Sequence, residues 1–195
     1  MRLLLTVLLL LASAAARAAE APPLPPCDQP VRFSADWFAD PPQEFDKSSD
    51  FLVRQGASAA EGATALGLVT VENAISVTPE KTCRGLQVSL RFVHPVLRVI
   101  RELPPGTCAH AHVLRHEYTH VHIYREMARR FRELVYPFPD TATPDDVLHD
   151  AKQQLAKLQE AQRLFDSPDE YADNLTACKG EIPKLLAAAR KGGAG

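Results

Sequence analysis

The sequence has no excess of basic residues. It contains 22 lysines and arginines against 24 aspartates and glutamates, which gives a formal net charge of −2 at pH 7. Proteins that bind nucleic acid or anionic lipid by charge need a basic face. The local group of arginines at positions 125, 129, 130 and 132 is most simply the solvated back of a helix. Nucleic acid is therefore not an expected partner.

Long apolar runs are also scarce, and the clearest one lies at residues 3–11. It is too short to cross a membrane, which takes about 20 residues of helix. Arg2 supplies a positive start before the run, and Ala16-Arg17-Ala18 has the small residues of a cleavage site. Residues 1–19 therefore predict a secretory signal peptide. We expect its removal from a periplasmic or secreted protein that has no membrane span.

Cysteine is sparse, with only Cys27, Cys83, Cys108 and Cys178. No two of them have Cys-x-x-Cys spacing, which argues against zinc ligation by cysteine. An even number in an exported chain predicts two disulfides, for which three connectivities exist. We favour Cys83 with Cys108, which would join a β-region to a helix, and Cys27 with Cys178, which would join the two ends of the domain.

Proline, in contrast, is concentrated near the start of the chain. Residues 20–50 hold seven of the 16 prolines, so regular structure is not expected before Pro30. The segment should lie on the domain as an extended arm, with Trp37 and Phe38 packed against it. Residues 51–190 are long enough for a single domain with its own core. Residues 191–195 should form a disordered tail.

Short β-prone runs come next, at residues 51–54, 65–71 and 75–78, with glycine or asparagine between them. From Leu86 to Phe92 apolar and polar residues alternate, which predicts a half-buried strand. His94 and Pro95 should break this strand before a further one at 96–100. We expect a small antiparallel sheet, with one edge strand that could pair with an extended peptide.

Helices are predicted for the rest of the chain. Thr107 or Cys108 should start a long helix that runs to about Val135. Thr143 and Pro144 mark the next start, and the two helices should form an antiparallel hairpin. Shorter helices are expected at 167–178 and 182–190. The sequence therefore predicts an α+β fold in which a small sheet precedes a helical half.

The long helix carries His116-Glu117-x-x-His120, the His-Glu-x-x-His pattern of many zinc hydrolases. Residues four apart lie on the same face of a helix, so the two imidazoles can share one ion. Glu117 could take a proton from a water that zinc has acidified. The pattern predicts one Zn²⁺ per chain, with His116 and His120 as ligands and Glu117 as the catalytic base.

Further histidines surround the motif. The apolar residues of this helix form one stripe, and His116 and His120 lie in the middle of it. Burial of two imidazoles is costly unless they are hydrogen-bonded or bind a metal. His112 lies on the same stripe, but three residues spread over two turns cannot all hold one ion. His110 and His122 project elsewhere and should be solvated.

The motif lacks an obvious third ligand, whereas a catalytic zinc normally has three protein ligands and a water. Glu126 stands where metzincins have a third histidine, but Ile123 replaces the glycine that would end the helix. By periodicity the next helix turns Gln154 and Gln162, and not Glu160, towards its buried face. The remaining candidates for the third ligand are Asp150, Glu160, Asp166 and Glu170. The sequence leaves this choice open.

The chain resembles small secreted bacterial proteins described as predicted zinc-dependent proteases of unknown function. The likeness is strongest over residues 107–131, where Cys108 precedes the motif on a long helix that follows a β-region, and weaker over 167–178. It implies a minimal zincin-like fold with His116 and His120 as zinc ligands and Glu117 as base.

Three functions are compatible with these patterns. The first is an exported zinc-dependent hydrolase, most simply a peptidase that acts on a peptide or protein. The second is a disulfide-stabilised periplasmic binding or assembly protein whose metal site is structural or degenerate. The third is a metal-handling protein that holds several weak ions with the histidines between positions 110 and 122.

Overall fold

The structure is a computed structural model that describes residues 22–37, 39–57, 64–138, 143–166 and 168–192. For residues 168–171 it describes the backbone alone. The predicted signal peptide therefore lies outside the described residues, as do Phe38, Ser167 and the last three residues of the tail. No helix in the described part is long and apolar enough to cross a membrane.

Four strands and four helices are described along the chain. In order they are β1 (Pro26–Asp36), β2 (Gln43–Glu44), α1 (Ser49–Arg54), β3 (Gly67–Pro79), β4 (Arg84–Val99), α2 (Cys108–Arg132), α3 (Pro144–Phe165) and α4 (Pro168–Gly192). The predicted α+β class is confirmed, since the strands precede the three long helices. The last helix continues into the first residues of the predicted tail.

β4 lies at the centre of the sheet and pairs with each of the other strands. β1 and β2 run parallel to it, with Phe33 of β1 opposite Val88. β3 runs antiparallel to it, with Ile75 opposite Leu90. Two of the three pairings are parallel, so the predicted antiparallel sheet is wrong. The parallel strands come from the proline-rich segment, which adds to the sheet where an extended arm was expected.

β1 tolerates its prolines because it is an edge strand. Among the described strands it pairs with β4 alone, so a proline whose nitrogen faces outward costs no ladder hydrogen bond. The register shifts between Pro26 and Val31, the stretch that contains Pro30. Since β1 begins at Pro26, the expectation of no regular structure before Pro30 is wrong.

Residues 51–54 form part of a helix and not the predicted strand. The Ser48 hydroxyl caps α1 by accepting a hydrogen bond from the backbone N–H of Phe51, and Asp50 lies in the first turn. Both features stabilise the start of a helix. The side chain of Leu52, which lies in this helix, is fully buried. A short apolar run of this kind fits either a strand or a helix, so its pattern alone does not distinguish the two.

The strands predicted on either side of His94 and Pro95 are a single strand, β4. His94 has a left-handed backbone conformation with φ of 51°. The register of β3 shifts between Thr70 and Glu72 in the facing part of the ladder. The proline is therefore absorbed as a bulge, and the predicted break is wrong.

α2 packs its apolar face on the sheet. The Thr107 hydroxyl caps it by accepting a hydrogen bond from the backbone N–H of His110. Phe131 is fully buried and meets Phe33 of β1, with ring centroids 5.4 Å apart. Burial of a phenylalanine side chain stabilises a fold by about 2 kcal/mol. The helix ends at Arg132, earlier than predicted, and presents the motif near its middle.

α3 returns along α2, so the predicted antiparallel hairpin is confirmed. Thr143 caps α3 as expected. Val147, near the start of α3, shares a core cluster with Phe131, near the end of α2. Asp166, at the end of α3, meets His116 in the middle of α2. The end of α3 therefore lies beside the motif.

Two disulfides join Cys27 to Cys83 and Cys108 to Cys178. Both predicted pairings are wrong, although all four cysteines are bonded. The parallel pairing of β1 with β4 brings Cys27 and Cys83 together, with Cα atoms 5.0 Å apart. α4 contains non-helical residues from Ala177 to Gly180, so it consists of two segments as predicted. Cys178 lies in this break and reaches the start of α2.

Replacing both Cys108 and Cys178 with Ala should lower the free energy of unfolding by about 4 kcal/mol. The disulfide closes a loop with a sequence separation of 70 residues, and its loss gives the unfolded chain more freedom. Urea denaturation of the variant and the wild type measures the difference. Peptide mapping without reduction serves as the control, since it should recover the Cys27–Cys83 and Cys108–Cys178 peptides. A variant as stable as the wild type would contradict the pairing.

Candidate metal centre

The two motif histidines point from α2 towards the end of α3. Their Nε2 atoms are 3.2 Å apart. Oδ1 of Asp166 lies 3.2 Å from Nε2 of His116 and 3.0 Å from Nε2 of His120. Three atoms that can all donate a lone pair to a metal therefore form a nearly equilateral triangle. The side chains are largely buried, with exposed fractions of 17%, 11% and 28% for His116, His120 and Asp166.

This triangle has the size of one face of a metal coordination shell. Ligands about 2.0–2.1 Å from a tetrahedral ion lie about 3.3–3.4 Å from one another. The three observed separations of 3.0–3.2 Å are slightly shorter than this. His116, His120 and Asp166 are therefore a group that could hold a metal ion.

Asp166 was one of five candidates for the third ligand, and the structure separates it from the others whose side chains are described. Glu126 is exposed and bound by Arg129 and Arg130. Glu160 pairs with Arg163 on the outer side of α3. Asp150 accepts a hydrogen bond from Gln154. The side chain of Glu170 lies outside the described residues.

Asp166 could not be chosen from the sequence because its position depends on where α3 ends. It is the C-cap residue, with φ of −75° and ψ of 56°, so its side chain does not follow the helical periodicity. Gln162, one turn earlier, points at the motif as its periodicity predicted. Its Oε1 lies 2.6 Å from Nδ1 of His120, and its Nε2 donates to the backbone oxygen of His120 over 3.1 Å.

An aromatic ring closes the site from the same helix. Phe165 stacks on His116, with ring centroids 4.7 Å apart and an interplanar angle of 28°. It meets His120 edge to face, with centroids 5.1 Å apart. Phe165 was not among the site residues predicted from the sequence. Its contact limits the rotation of both imidazoles.

The ionisable groups of the site change each other's protonation. Burial would by itself raise the pKa of Asp166, but the hydrogen bonds to His116 and His120 together hold that pKa well below its usual range. Burial would likewise lower the pKa of His120, whereas the hydrogen bond to Asp166 and the charge of Glu117 raise it. Without a metal, the triangle is therefore stabilised by hydrogen bonds from the imidazole N–H groups to the ionised carboxylate of Asp166.

Glu117 lies beside this triangle and is almost fully buried. Burial raises its pKa to about 7. Its Oε2 has no hydrogen-bond partner among the described residues. On its other side it meets Gly67 of β3 so closely that a Cβ on Gly67 would lie 2.7 Å from the carboxyl carbon. Only a glycine fits here, because any side chain would have to displace Glu117.

The remaining histidines of α2 do not join the site. His110 is buried, and its Nδ1 lies 2.9 Å from the backbone oxygen of Leu103, so the expectation that it is solvated is wrong. Nε2 of His112 lies 3.1 Å from Oδ1 of Asn174. His122 is exposed, as expected. In the described part of the chain, His116 and His120 are the histidines that belong to a metal-capable group.

A cleft of about 170 Å³ opens onto the triangle. One wall is formed by the start of β3 and the residue before it, from Leu66 to Val69. The opposite wall carries His116, Glu117, His120 and Asp166. Among the described lining residues there is no lysine or arginine. The cleft therefore joins an edge strand of the sheet to the metal-capable group.

A second group, Cys108, Cys178 and Glu181, also has potential ligand atoms close together. The two cysteines form a disulfide, so they offer no thiolate to a metal. Glu181 instead accepts a hydrogen bond from the backbone N–H of Ala109 over 2.7 Å. This group has a structural role at the start of α2.

No protein-family model, curated protein or solved structure matches this chain. A functional assignment therefore depends on the chemistry of its own residues.

Replacing Glu117 with Gln should stabilise the metal-free protein at pH 8.5 but not at pH 4. The folded-state pKa of about 7 lies above the ordinary value of 4.5, so wild-type stability falls as the pH rises from 4.5 to about 7 and then levels off. Ionisation of Glu117 therefore lowers the free energy of unfolding by at most about 3 kcal/mol. The uncharged amide of the Gln side chain avoids this loss. Urea denaturation with a chelator present measures the difference at both pH values.

The matched control is Glu126→Gln, which changes an exposed carboxylate on the same helix. Arg129 and Arg130 lower the pKa of Glu126 to about 2, so its neutralisation should not stabilise the protein. An equal gain from Glu117→Gln at pH 4 and pH 8.5 would contradict the assignment of a buried, pH-dependent charge.

Proposed function

We propose that the protein is an exported zinc-dependent hydrolase, most simply a peptidase. The observation that carries the proposal is the triangle of His116, His120 and Asp166, with the buried carboxylate of Glu117 next to it. Two imidazole nitrogens and one carboxylate oxygen are a ligand set typical of catalytic zinc, which keeps a fourth position for water. The resemblance of residues 107–131 to predicted zinc-dependent proteases agrees with this interpretation.

In this proposal His116, His120 and Asp166 would hold the zinc, which would supply an acidified water and a positive charge to polarise the carbonyl. Glu117 is the group that takes up the proton. Its carboxylate is buried beside the three ligands and lines the same cleft, so it is placed to accept the proton and return it. Asp166 and the two imidazoles would act as ligands only, because the metal would replace the hydrogen bonds between them.

An extended peptide is the substrate that the cleft fits best. β3 is an edge strand, and the stretch from Leu66 to Val69 lines the cleft beside the metal-capable group. A peptide could add to such an edge through main-chain hydrogen bonds. Since no described lining residue is cationic, a terminal carboxylate would find no partner. An internal segment of a chain is therefore preferred over its C-terminus.

The disulfides support the exported location. Cys27–Cys83 and Cys108–Cys178 are both formed, and such bonds persist in oxidising compartments. Together with the leader-like residues 1–19, they favour the periplasm or the extracellular space.

One observation favours a second candidate function. Glu117 packs against Gly67 of β3 and is almost fully buried, so its carboxylate already takes part in the contact between α2 and the sheet. A structural or degenerate metal site in a periplasmic binding or assembly protein would use Glu117 in this way. The two functions differ in whether the metal-loaded protein hydrolyses any peptide.

The purified mature protein should contain one zinc per chain by elemental analysis. The His116→Ala, His120→Ala variant should contain none, because two of the three ligands are gone. His122→Ala is the matched control, since it removes an exposed imidazole from the same helix and should leave the zinc in place. Absence of zinc from the wild type, even after zinc is supplied, would refute the metal site.

Glu117→Gln should retain its zinc and lose hydrolysis by about 10²- to 10⁴-fold, the usual contribution of a general base. Turnover of a panel of unstructured proteins measures this, with Glu126→Gln as the control that should keep full activity. Equal turnover in Glu117→Gln and the wild type would eliminate the mechanism. Tight zinc binding without any hydrolysis by the wild type would support the second candidate function.

A further inference from the structure

The facing helices carry two pairs of residues that match in spacing. His116 and His120 lie one turn apart on α2, and Gln162 in the last turn of α3 lies four residues before Asp166, the C-cap of that helix. Because the helices are antiparallel, Asp166 reaches both Nε2 atoms of the histidines, while Gln162 reaches the far side of His120. His116, His120 and Asp166 therefore supply the ligand atoms, and Gln162 contacts the ring nitrogen of His120 that points away from them.

The amide of Gln162 can be oriented in only one way. Its Nε2 donates to the backbone oxygen of His120 over 3.1 Å, and a carbonyl oxygen can only accept. The other amide atom, Oε1, must then face Nδ1 of His120 at 2.6 Å. Since Oε1 can only accept, Nδ1 carries the hydrogen.

This arrangement decides which nitrogen of His120 is available. When a metal replaces the hydrogen bond between Nε2 and Asp166, the imidazole holds one hydrogen, so a protonated Nδ1 leaves the lone pair on Nε2 for the metal. Nε2 is the atom that faces His116 and Asp166. The opposite tautomer would place two lone pairs against each other at Oε1. The side chain of His120 is only 11% exposed, so water has little access to relieve that contact.

We propose that Gln162 is a positioning residue that holds His120 in the Nδ1–H tautomer and in the ring orientation needed to bind a metal through Nε2. This inference rests on the proposed metal site. It adds a residue that the His-Glu-x-x-His motif does not contain. Hydrogen bonds of this kind to ligating histidines typically change metal affinity by about 10- to 100-fold.

Zinc affinity, measured by competition with a chromogenic chelator, tests the proposal without any assay of activity. Gln162→Met keeps the volume of the side chain and removes both hydrogen bonds, so the affinity should fall by about 10- to 100-fold. Gln162→Glu keeps an oxygen acceptor for Nδ1–H and should recover most of the lost affinity. Gln154→Met is the matched control on α3, because Gln154 contacts Asp150 and not the site.

The tautomer of His120 provides a readout that a purely structural role would not change. In the metal-free protein at pH 8.5, imidazole ¹⁵N shifts should show Nδ1 protonated in the wild type and in Gln162→Glu. Gln162→Met should lose the hydrogen from Nδ1, because the carboxylate of Asp166 still accepts a hydrogen from Nε2, and its helices should remain intact by circular dichroism. This measurement does not depend on whether the protein hydrolyses anything.

The outcomes separate this inference from the proposed function. If the wild type binds zinc and Gln162→Met binds it with equal affinity, the role of Gln162 is overturned and the metal site is retained. A wild type that binds no zinc would overturn both. If Gln162→Met binds zinc more weakly but keeps the wild-type hydrogen on Nδ1 of His120, the role of Gln162 is also overturned, because the loss of affinity would then have another cause.

Discussion

The burial of ionisable side chains at the contact between α2 and the end of α3 is the constraint on which the rest of the structure depends. A charged group that is buried away from water must be paired or bind a metal, because its desolvation is otherwise too costly. His116 and His120 meet this requirement through Asp166 and Gln162, all within hydrogen-bonding distance. The pairing exists only because α3 is antiparallel to α2 and ends level with the motif. The hairpin is thus required by the site as well as by the core.

The surrounding elements fix this contact from outside. The Cys108–Cys178 disulfide and the hydrogen bond from the backbone N–H of Ala109 to Glu181 attach α4 to the start of α2. The Cys27–Cys83 disulfide joins β1 to the segment before β4, and β1 packs on α2 through Phe33 and Phe131. The position of the histidines is therefore determined by the whole domain and not by one helix.

Glu117 breaks the rule that buried polar atoms are satisfied, since its Oε2 has no described partner. Residues that cost stability in this way are concentrated at functional sites. Gly67 permits the burial by leaving room for the carboxylate against β3. The same contact explains why sheet and motif form one cleft: the edge strand lies directly over the acidic group that the motif supplies.

The sequence by itself determined the elements whose signals are local: the capped starts of α2 and α3, the alternating strand in β4, the motif and the involvement of four cysteines in two disulfides. It did not determine the sheet direction, the cysteine pairs or the third metal-capable residue. Strand direction and cysteine pairing depend on which distant segments meet, as Cys27 meets Cys83 through the parallel ladder. Asp166 reaches the histidines from a non-helical cap, so no periodicity could place it. Only the tertiary structure decided these points, because each depends on contacts between residues far apart in the chain.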